Sequence, residues 1–167
     1  MDKIKLFGLL LVLLAIPAGV YLVRSSRSTR VETRAARIEE ALIFTMPAEF
    51  YLKLGETADV AVKIDTGKET VTGVKIVLDF DPDLLVLAGD IKAGPAFDEF
   101  VAGEDFGQIV LKGKGQLIGQ GTIATLSFKS IEIGETDLKV NSSSLVWDKS
   151  EKNNLFRKGV GSRILIE

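Results

Sequence analysis

Beyond Ala41, apolar and polar residues alternate along the chain with a period of two, which is the pattern of β-strands that bury one face. In ADVAVKID the apolar row is Val60, Val62 and Ile64. Two further rows occur in GVKIVLDF and TIATLSFK, and they consist of Val74, Ile76, Leu78 and Phe80 and of Ala124, Leu126 and Phe128. We expect all three rows to face a core.

Shorter strands and the turns between them complete the prediction. The shorter strands are Ala41–Met46, Leu84–Ala88, Gln108–Lys112, Asp137–Val140, Ser144–Trp147 and Ser162–Ile166. Turn residues lie at Asp65–Gly67, Asp81-Pro82 and Gly94-Pro95. The stretch GKGQLIGQG is expected to be a flexible loop, and the acidic stretch Asp98–Asp105 a solvated one. Half-apolar strands must pair their apolar faces, so we predict an all-β sandwich of two antiparallel sheets.

The N-terminal region contains one long apolar run, LFGLLLVLLAIPAGVYLV, at residues 6–23. A run of about 18 residues is just long enough to cross a hydrocarbon core of about 30 Å. We therefore expect residues 1–23 to anchor the protein in a membrane by one transmembrane helix. A cleaved signal peptide is the alternative, since Val23 and Ser25 satisfy the small-residue rule for a cleavage site.

The charge of the chain divides at Glu40. Residues 24–40 are expected to form a basic, polar stalk, and residues 41–167 one domain. Residues 1–40 hold 7 Lys/Arg against 4 Asp/Glu, net +3, whereas the rest holds 14 against 19, net −5. We do not expect this mildly acidic domain to bind nucleic acid. By the positive-inside rule, the arginines that follow the apolar run would place the domain in the cytoplasm.

The composition excludes several kinds of chemistry. The chain has no His and no Cys, so we expect no zinc site, thiol catalysis, His-based triad or disulfide. Glycosidases need only two carboxylates, but no carboxylate here stands in an apolar stretch that would raise its pKa. Asp79, Asp81 and Asp83 are expected to diverge around a turn instead of holding calcium. We expect a protein that is not an enzyme and that needs no cofactor or metal.

Two segments carry a family resemblance, VTGVKIVLDFDPDLLVL at residues 71–87 and GTIATLSFKS at residues 121–130. A strand that ends in Phe80-Asp81-Pro82 and is followed by a short leucine-bearing strand resembles the cohesin family, and the resemblance extends over residues 41–167. It implies a jelly-roll sandwich of about nine strands. It also implies an exported, surface-attached module, which outweighs the charge count for orientation, and a dockerin as the usual protein partner.

The resemblance also points to a working surface. Cohesins bind partners through a sheet face that contains the strand before the Asp-Pro turn. We therefore expect partner-binding residues on the outer faces of the strands Val71–Asp79 and Thr122–Lys129, namely Lys75, Val77, Asp79, Ile123, Thr125 and Ser127. Dockerin-binding members often carry Asn and Asp on the first of these strands, where this chain has Gly73 and Lys75.

Carbohydrate binding is the alternative function, because carbohydrate-binding modules share the jelly-roll fold. Such modules usually stack sugar rings on exposed aromatic side chains. The candidate rings are those of Tyr51, Phe97, Phe100, Phe106 and Trp147. An exposed, coplanar aromatic row would favour a polysaccharide, whereas an apolar and charged face without such a row would favour a protein partner.

Overall fold

The computed structural model describes residues 41–167, which contain 13 strands and no helix. The strands are β1 (Ala41–Met46), β2 (Glu49–Leu52), β3 (Thr57–Asp65), β4 (Val71–Asp79), β5 (Leu85–Leu87), β6 (Lys92–Ala93), β7 (Glu99–Asp105), β8 (Gln108–Leu117), β9 (Gln120–Ser130), β10 (Gly134–Val140), β11 (Leu145–Asp148), β12 (Phe156–Val160) and β13 (Ser162–Ile166). The predicted membrane anchor and stalk at residues 1–40 lie outside the described residues. Among the described residues, no helix could cross a membrane.

Two sheets build the domain. The six-stranded sheet has the order β12-β1-β3-β9-β5, with β6 also paired to β9. The seven-stranded sheet has the order β2-β13-β10-β4-β8-β7, with β11 also paired to β4. One apolar cluster takes side chains from both sheets, such as Val62 and Leu126 from the first and Ile76 and Leu111 from the second. The predicted all-β sandwich is confirmed.

The three apolar rows predicted from the alternation all belong to this core. Val60, Val62 and Ile64 on β3 are fully buried. The β4 row and the β9 row are buried as well, and both belong to the core cluster. Phe80, just after β4, and Phe128 on β9 bring their ring centroids to 5.3 Å at an angle of 62°. The β4 row and the β9 row therefore meet in an edge-to-face aromatic contact.

The expected count of nine strands and the purely antiparallel pairing are both wrong in detail. β1 and β12 pair in parallel, and so do β2 and β13. The first strand begins in the six-stranded sheet and continues, after Pro47, as β2 of the other sheet. The last strand changes sheets in the same way at Gly161, between β12 and β13. Two interrupted strands thus count as four, and the first and last strands of the described domain pair side by side.

Two segments predicted as loops are strands. The acidic stretch Asp98–Asp105 contains β7, which forms the edge of the seven-stranded sheet beside β8. The stretch GKGQLIGQG is strand as far as Leu117, and only Ile118 and Gly119 turn the chain toward β9. Glycine concealed the alternation in β8, because Gly113 occupies a buried position between two exposed lysines.

Candidate functional site

The six predicted partner-binding residues do not share one surface. Lys75, Val77 and Asp79 lie on β4, inside the seven-stranded sheet, whereas Ile123, Thr125 and Ser127 lie on β9, inside the six-stranded sheet. The outer faces of two stacked sheets point in opposite directions. The prediction of a single surface built from both strands is therefore wrong.

Ile123 is also not an outward residue. It is 1 % exposed and belongs to the core cluster. The pairing of β3 with β9 shifts here, since Val62 pairs with Ala124 and Lys63 with Thr122. Ile123 is the extra residue of this β-bulge, and a bulge breaks the alternation of side chains locally. Both Ile123 and Ala124 consequently face inward.

Val77 lies outside the core cluster but is only 4 % exposed. The segment between β10 and β11 closes on this part of β4. The Ser144 Oγ accepts the Val77 N–H at 3.0 Å, and the Asn141 N–H bonds to the Val77 carbonyl at 2.8 Å. The predicted exposure of Val77 is wrong, because sequence alternation does not reveal the covering segment.

The carboxylates of Asp79 and Asp81 accept hydrogen bonds within the domain. The Asp79 carboxylate accepts a hydrogen bond from Gln108 Nε2 at 3.0 Å and another from Asn141 Nδ2 at 2.6 Å. Asp81 Oδ1 accepts the Asp83 N–H at 3.0 Å, which stabilises the turn after β4. Within residues 41–167, no group of three or more acidic side chains is arranged to hold a metal ion.

The described domain has a concavity on the outer side of the seven-stranded sheet, with a volume of about 580 Å³. It extends across β11, β4, β8 and β7. We call this surface the β4 face, and it is defined by Gly73, Lys75, Val101, Lys112, Lys114 and Trp147. Of the six predicted partner-binding residues, only Lys75 lines the concavity, together with Phe100 and Trp147 from the predicted sugar-binding set.

Strand register aligns the residues of the β4 face in rows, because directly paired residues project on the same side of a sheet. One row crosses four strands in the order Leu145, Lys75, Lys112 and Val101. The next row contains Trp147, Gly73, Lys114 and Glu99 in the same strand order. The β4 face therefore has lysines at its centre, with Leu145, Trp147, Val101 and the acidic Glu99 toward its edges.

Glycines make room for the aromatic rings at this site. A Cβ at Gly73 would lie 3.3 Å from Cε3 of Trp147, so the indole packs directly against the Gly73 backbone. On the core side, a Cβ at Gly113 would lie 2.6 Å from Cδ2 of Phe97. Both glycines are buried inside strands, where a residue without a side chain often marks a close approach.

A hydrogen-bonded turn positions Trp147 at the end of β11. The Asp148 carboxylate accepts bonds from Ser150 Oγ at 2.7 Å and from Asn153 Nδ2 at 2.6 Å. These donors lower the pKa of Asp148, the Ser150 hydroxyl most strongly. Asn154 Oδ1 accepts the Val146 N–H at 2.9 Å on the other side of Trp147. Hydrogen bonds thus hold both chain neighbours of Trp147, Val146 and Asp148, and so fix the position of the indole.

The lysines of the β4 face lie close together without a salt bridge in the described domain. In the described part of the chain, no carboxylate forms an ion pair with Lys75, Lys112 or Lys114. Lys75 and Lys112 are directly paired across β4 and β8, so two positive charges are neighbours. Like charges placed opposite each other in a sheet are destabilising.

The aromatic side chains considered for sugar binding do not line up. Phe97 is buried at 8 % exposure, and Tyr51 lies on β2 at the opposite edge of the seven-stranded sheet from β7. Phe106, 86 % exposed, lies in the turn between β7 and β8. Phe100 lines the concavity, but it packs partly against the core and pairs with Gly113 outside the two rows of the face. Trp147 is the one member of this candidate set that lies on one of those two rows. This arrangement matches the apolar and charged face expected for a protein partner.

Sequence reasoning named Trp147 only as a candidate ring for sugar binding, and it missed Val101, Lys112 and Lys114. Two signals could have found part of this group. In LKGKG the lysines alternate with a glycine, which indicates an outward lysine row, and Gly73 is a glycine inside a strand, which often marks a close approach. Nothing local places Trp147 beside Gly73, because the two are far apart in the sequence.

No protein-family model matches the chain, and no curated protein matches its sequence. Solved structures do match. A non-cellulosomal cohesin from the archaeon Archaeoglobus fulgidus is 19% identical with a TM-score of 0.64, covering 77% of this chain and 91% of that one. A type I cohesin–dockerin complex from Clostridium thermocellum gives 14% identity and a TM-score of 0.64, with 76% and 92% covered.

A type III cohesin module from a cell-surface anchoring scaffoldin of Ruminococcus flavefaciens is 12% identical, with a TM-score of 0.63 over 80% of this chain and 91% of that one. At such identities the likeness concerns the fold. The domain has a cohesin-like β-sandwich, and the resemblance inferred from the residues around the Asp-Pro turn is confirmed.

Proposed function

We propose that this protein is a membrane-anchored module, displayed outside the cytoplasm, that binds a protein partner through the β4 face. The observation that carries the proposal is the concavity on that face, with Trp147 and Val101 beside a central group of lysines. Trp is enriched among the residues that dominate binding energy at protein interfaces, and charged groups at an interface set orientation and association rate.

The structural relatives support the same kind of function. One similar cohesin was solved in complex with a dockerin, and another belongs to a cell-surface anchoring scaffoldin. A third is described as non-cellulosomal. A partner of dockerin type is therefore one candidate, and a different surface protein is the other. A polysaccharide is the alternative ligand, supported here by the single indole at the concavity.

A matched pair of valine substitutions tests the face. Val101 is 66 % exposed on β7, and Val86 is 38 % exposed on β5 of the other sheet. We expect Val101→Gln to weaken binding of the full-length chain to a panel of purified dockerins and to proteins cross-linked to it on cells, whereas Val86→Gln should leave binding unchanged. Equal binding by the wild type and both variants would refute the proposal that the partner binds at the β4 face. Retention on an insoluble polysaccharide that Val101→Gln abolishes would support the alternative ligand.

The membrane part of the proposal has a separate test. The apolar run at residues 6–23 is long enough to cross a bilayer. Alkaline carbonate extraction should leave the full-length protein in the membrane pellet, and protease added to intact cells should digest the domain. Recovery in the supernatant would refute the anchor. Protection of the domain in intact cells would refute its external orientation.

A further inference from the structure

We infer that the partner bound by the β4 face presents an acidic peptide segment, with a carboxylate that binds between Lys75 and Lys112 and apolar side chains on either side of it. The inference rests on the proposed function, because it specifies the chemistry of the partner at the same surface.

The first argument is the row of four residues across the sheet. Lys75 and Lys112 face each other directly, and Leu145 and Val101 flank them on β11 and β7. A segment crossing this row meets an apolar group, two positive charges and another apolar group. A carboxylate accepts hydrogen bonds from both ammonium groups at once, and it removes the repulsion between two like charges in the free domain.

The second argument is that the domain does not satisfy these charges itself. Elsewhere on the seven-stranded sheet Arg163 pairs with Glu135 at 2.7 Å and with Glu49 at 3.9 Å. No ion pair of this kind involves Lys75, Lys112 or Lys114 within residues 41–167. Lys75 is half-buried, so a carboxylate that binds against it leaves bulk water in part. Coulomb attraction is stronger where water is partly excluded.

The third argument concerns the extent of the positive charge. Glu99 lies opposite Lys114 in the strand register of β7 and β8, at the edge of the face. Glu151 lies on the other side of the concavity. The domain as a whole carries 14 Lys/Arg against 19 Asp/Glu. A long polyanion such as a nucleic acid would meet these carboxylates on both sides of the lysines. A short acidic segment with apolar neighbours fits the central lysines alone.

Lys112 is the position for the test, because its side chain is exposed and its replacement leaves the core intact. The control is Lys129, an exposed lysine on β9 of the opposite sheet. Short random peptides displayed on phage are selected in parallel on the full-length wild type, on Lys112→Glu and on Lys129→Glu. Selected peptides are then retested on Val101→Gln to identify those that bind the β4 face.

Peptides from the wild type that depend on Val101 should be enriched in Asp and Glu between apolar residues. Their synthetic versions should bind Lys112→Glu at least about tenfold more weakly and Lys129→Glu unchanged, and added salt should slow their association. The chain has one Trp, so the fluorescence of Trp147 reports binding at the concavity directly. Selection on Lys112→Glu should instead give basic peptides.

The possible failures are distinguishable. If peptides depend on Val101 but show no acidic enrichment, or if Glu-to-Gln replacement in them leaves affinity unchanged, the acidic segment is refuted while the binding face stands. If no selected peptide depends on Val101, the inference fails. The proposed function is then decided separately, by the binding of Val101→Gln and Val86→Gln to dockerins and cross-linked proteins.

Discussion

Ser144 is a fully buried polar residue whose hydroxyl serves the backbone of another strand. Its Oγ accepts the Val77 N–H at 3.0 Å where β10 is interrupted before β11. A buried N–H without an acceptor costs about 1–3 kcal/mol. The single hydroxyl therefore replaces a strand hydrogen bond that the interruption removes.

We expect Ser144→Ala to lower the free energy of unfolding by about 1–3 kcal/mol, because the Val77 N–H loses its acceptor in a site closed to water. Urea unfolding followed by circular dichroism measures the change. Ser143→Ala is the matched control, since the Ser143 side chain is exposed. Equal stability of the two variants would contradict the assigned role.

Asp148 provides a prediction about pH. The bonds from Ser150 and Asn153 hold its pKa below the ordinary value. A carboxyl with a lowered folded-state pKa stabilises the fold fully above its unfolded pKa of about 3.9, and the contribution is lost as the pH falls through the lower folded value. Below about pH 4 the turn should therefore loosen and the fluorescence of Trp147 should change. In Asp148→Asn this acid transition should be absent, and its persistence would assign it to another group.

At the scale of the elements, glycine permits the changes of sheet. Gly161 separates β12 in one sheet from β13 in the other. A Cβ there would lie 1.9 Å from the Leu138 carbonyl oxygen on β10, so backbone would have to move. Gly103, exposed on the edge strand β7, has no atom within 4 Å of such a Cβ.

The two glycines form a matched pair for thermal unfolding. Gly161→Ala should destabilise the domain by about 1–3 kcal/mol or more, because the crossover is overpacked against backbone. Gly103→Ala should be neutral or stabilise by up to about 1 kcal/mol, because it only restricts the unfolded chain. A smaller loss in melting temperature for Gly161→Ala than for Gly103→Ala would contradict this account.

At the scale of the whole molecule, the contact between Phe80 and Phe128 joins the two sheets. Phe128 is fully buried on β9 of the six-stranded sheet, and Phe80 follows β4 of the seven-stranded sheet. Their edge-to-face arrangement fills the space between the layers. Truncating either ring opens a cavity that neighbouring strands, fixed by their own hydrogen bonds, fill only in part.

We expect Phe128→Ala to cost about 3–5 kcal/mol in unfolding free energy, and Phe80→Ala a similar amount. Their combined loss should be smaller than the sum of the single losses, because both rings contribute to one contact. Tyr51→Ala, which removes a ring that is 65 % exposed, is the control. An unchanged unfolding midpoint for Phe128→Ala would mean that the inward row of β9 is assigned incorrectly.

The sequence by itself determined the local features of this protein. The rows on β3, β4 and β9 and the bounds of β1 and β13 follow from alternation, because side chains of a strand point to opposite sides in turn. The turn after Phe80 indicated the likeness to cohesins, because a Pro-containing turn between two apolar strands is also a local pattern in the sequence.

Only the tertiary structure decided which strands share a sheet and which side chains meet on its surface. β4 and β9 have equally clear rows but belong to different sheets, because strand pairing depends on partners distant in sequence. The bulge at Ile123 and the segment covering Val77 exist only once neighbouring strands are in place. The β4 face likewise requires Trp147 to pack on Gly73. These residues are far apart in the sequence, so no local sequence pattern predicts their contact.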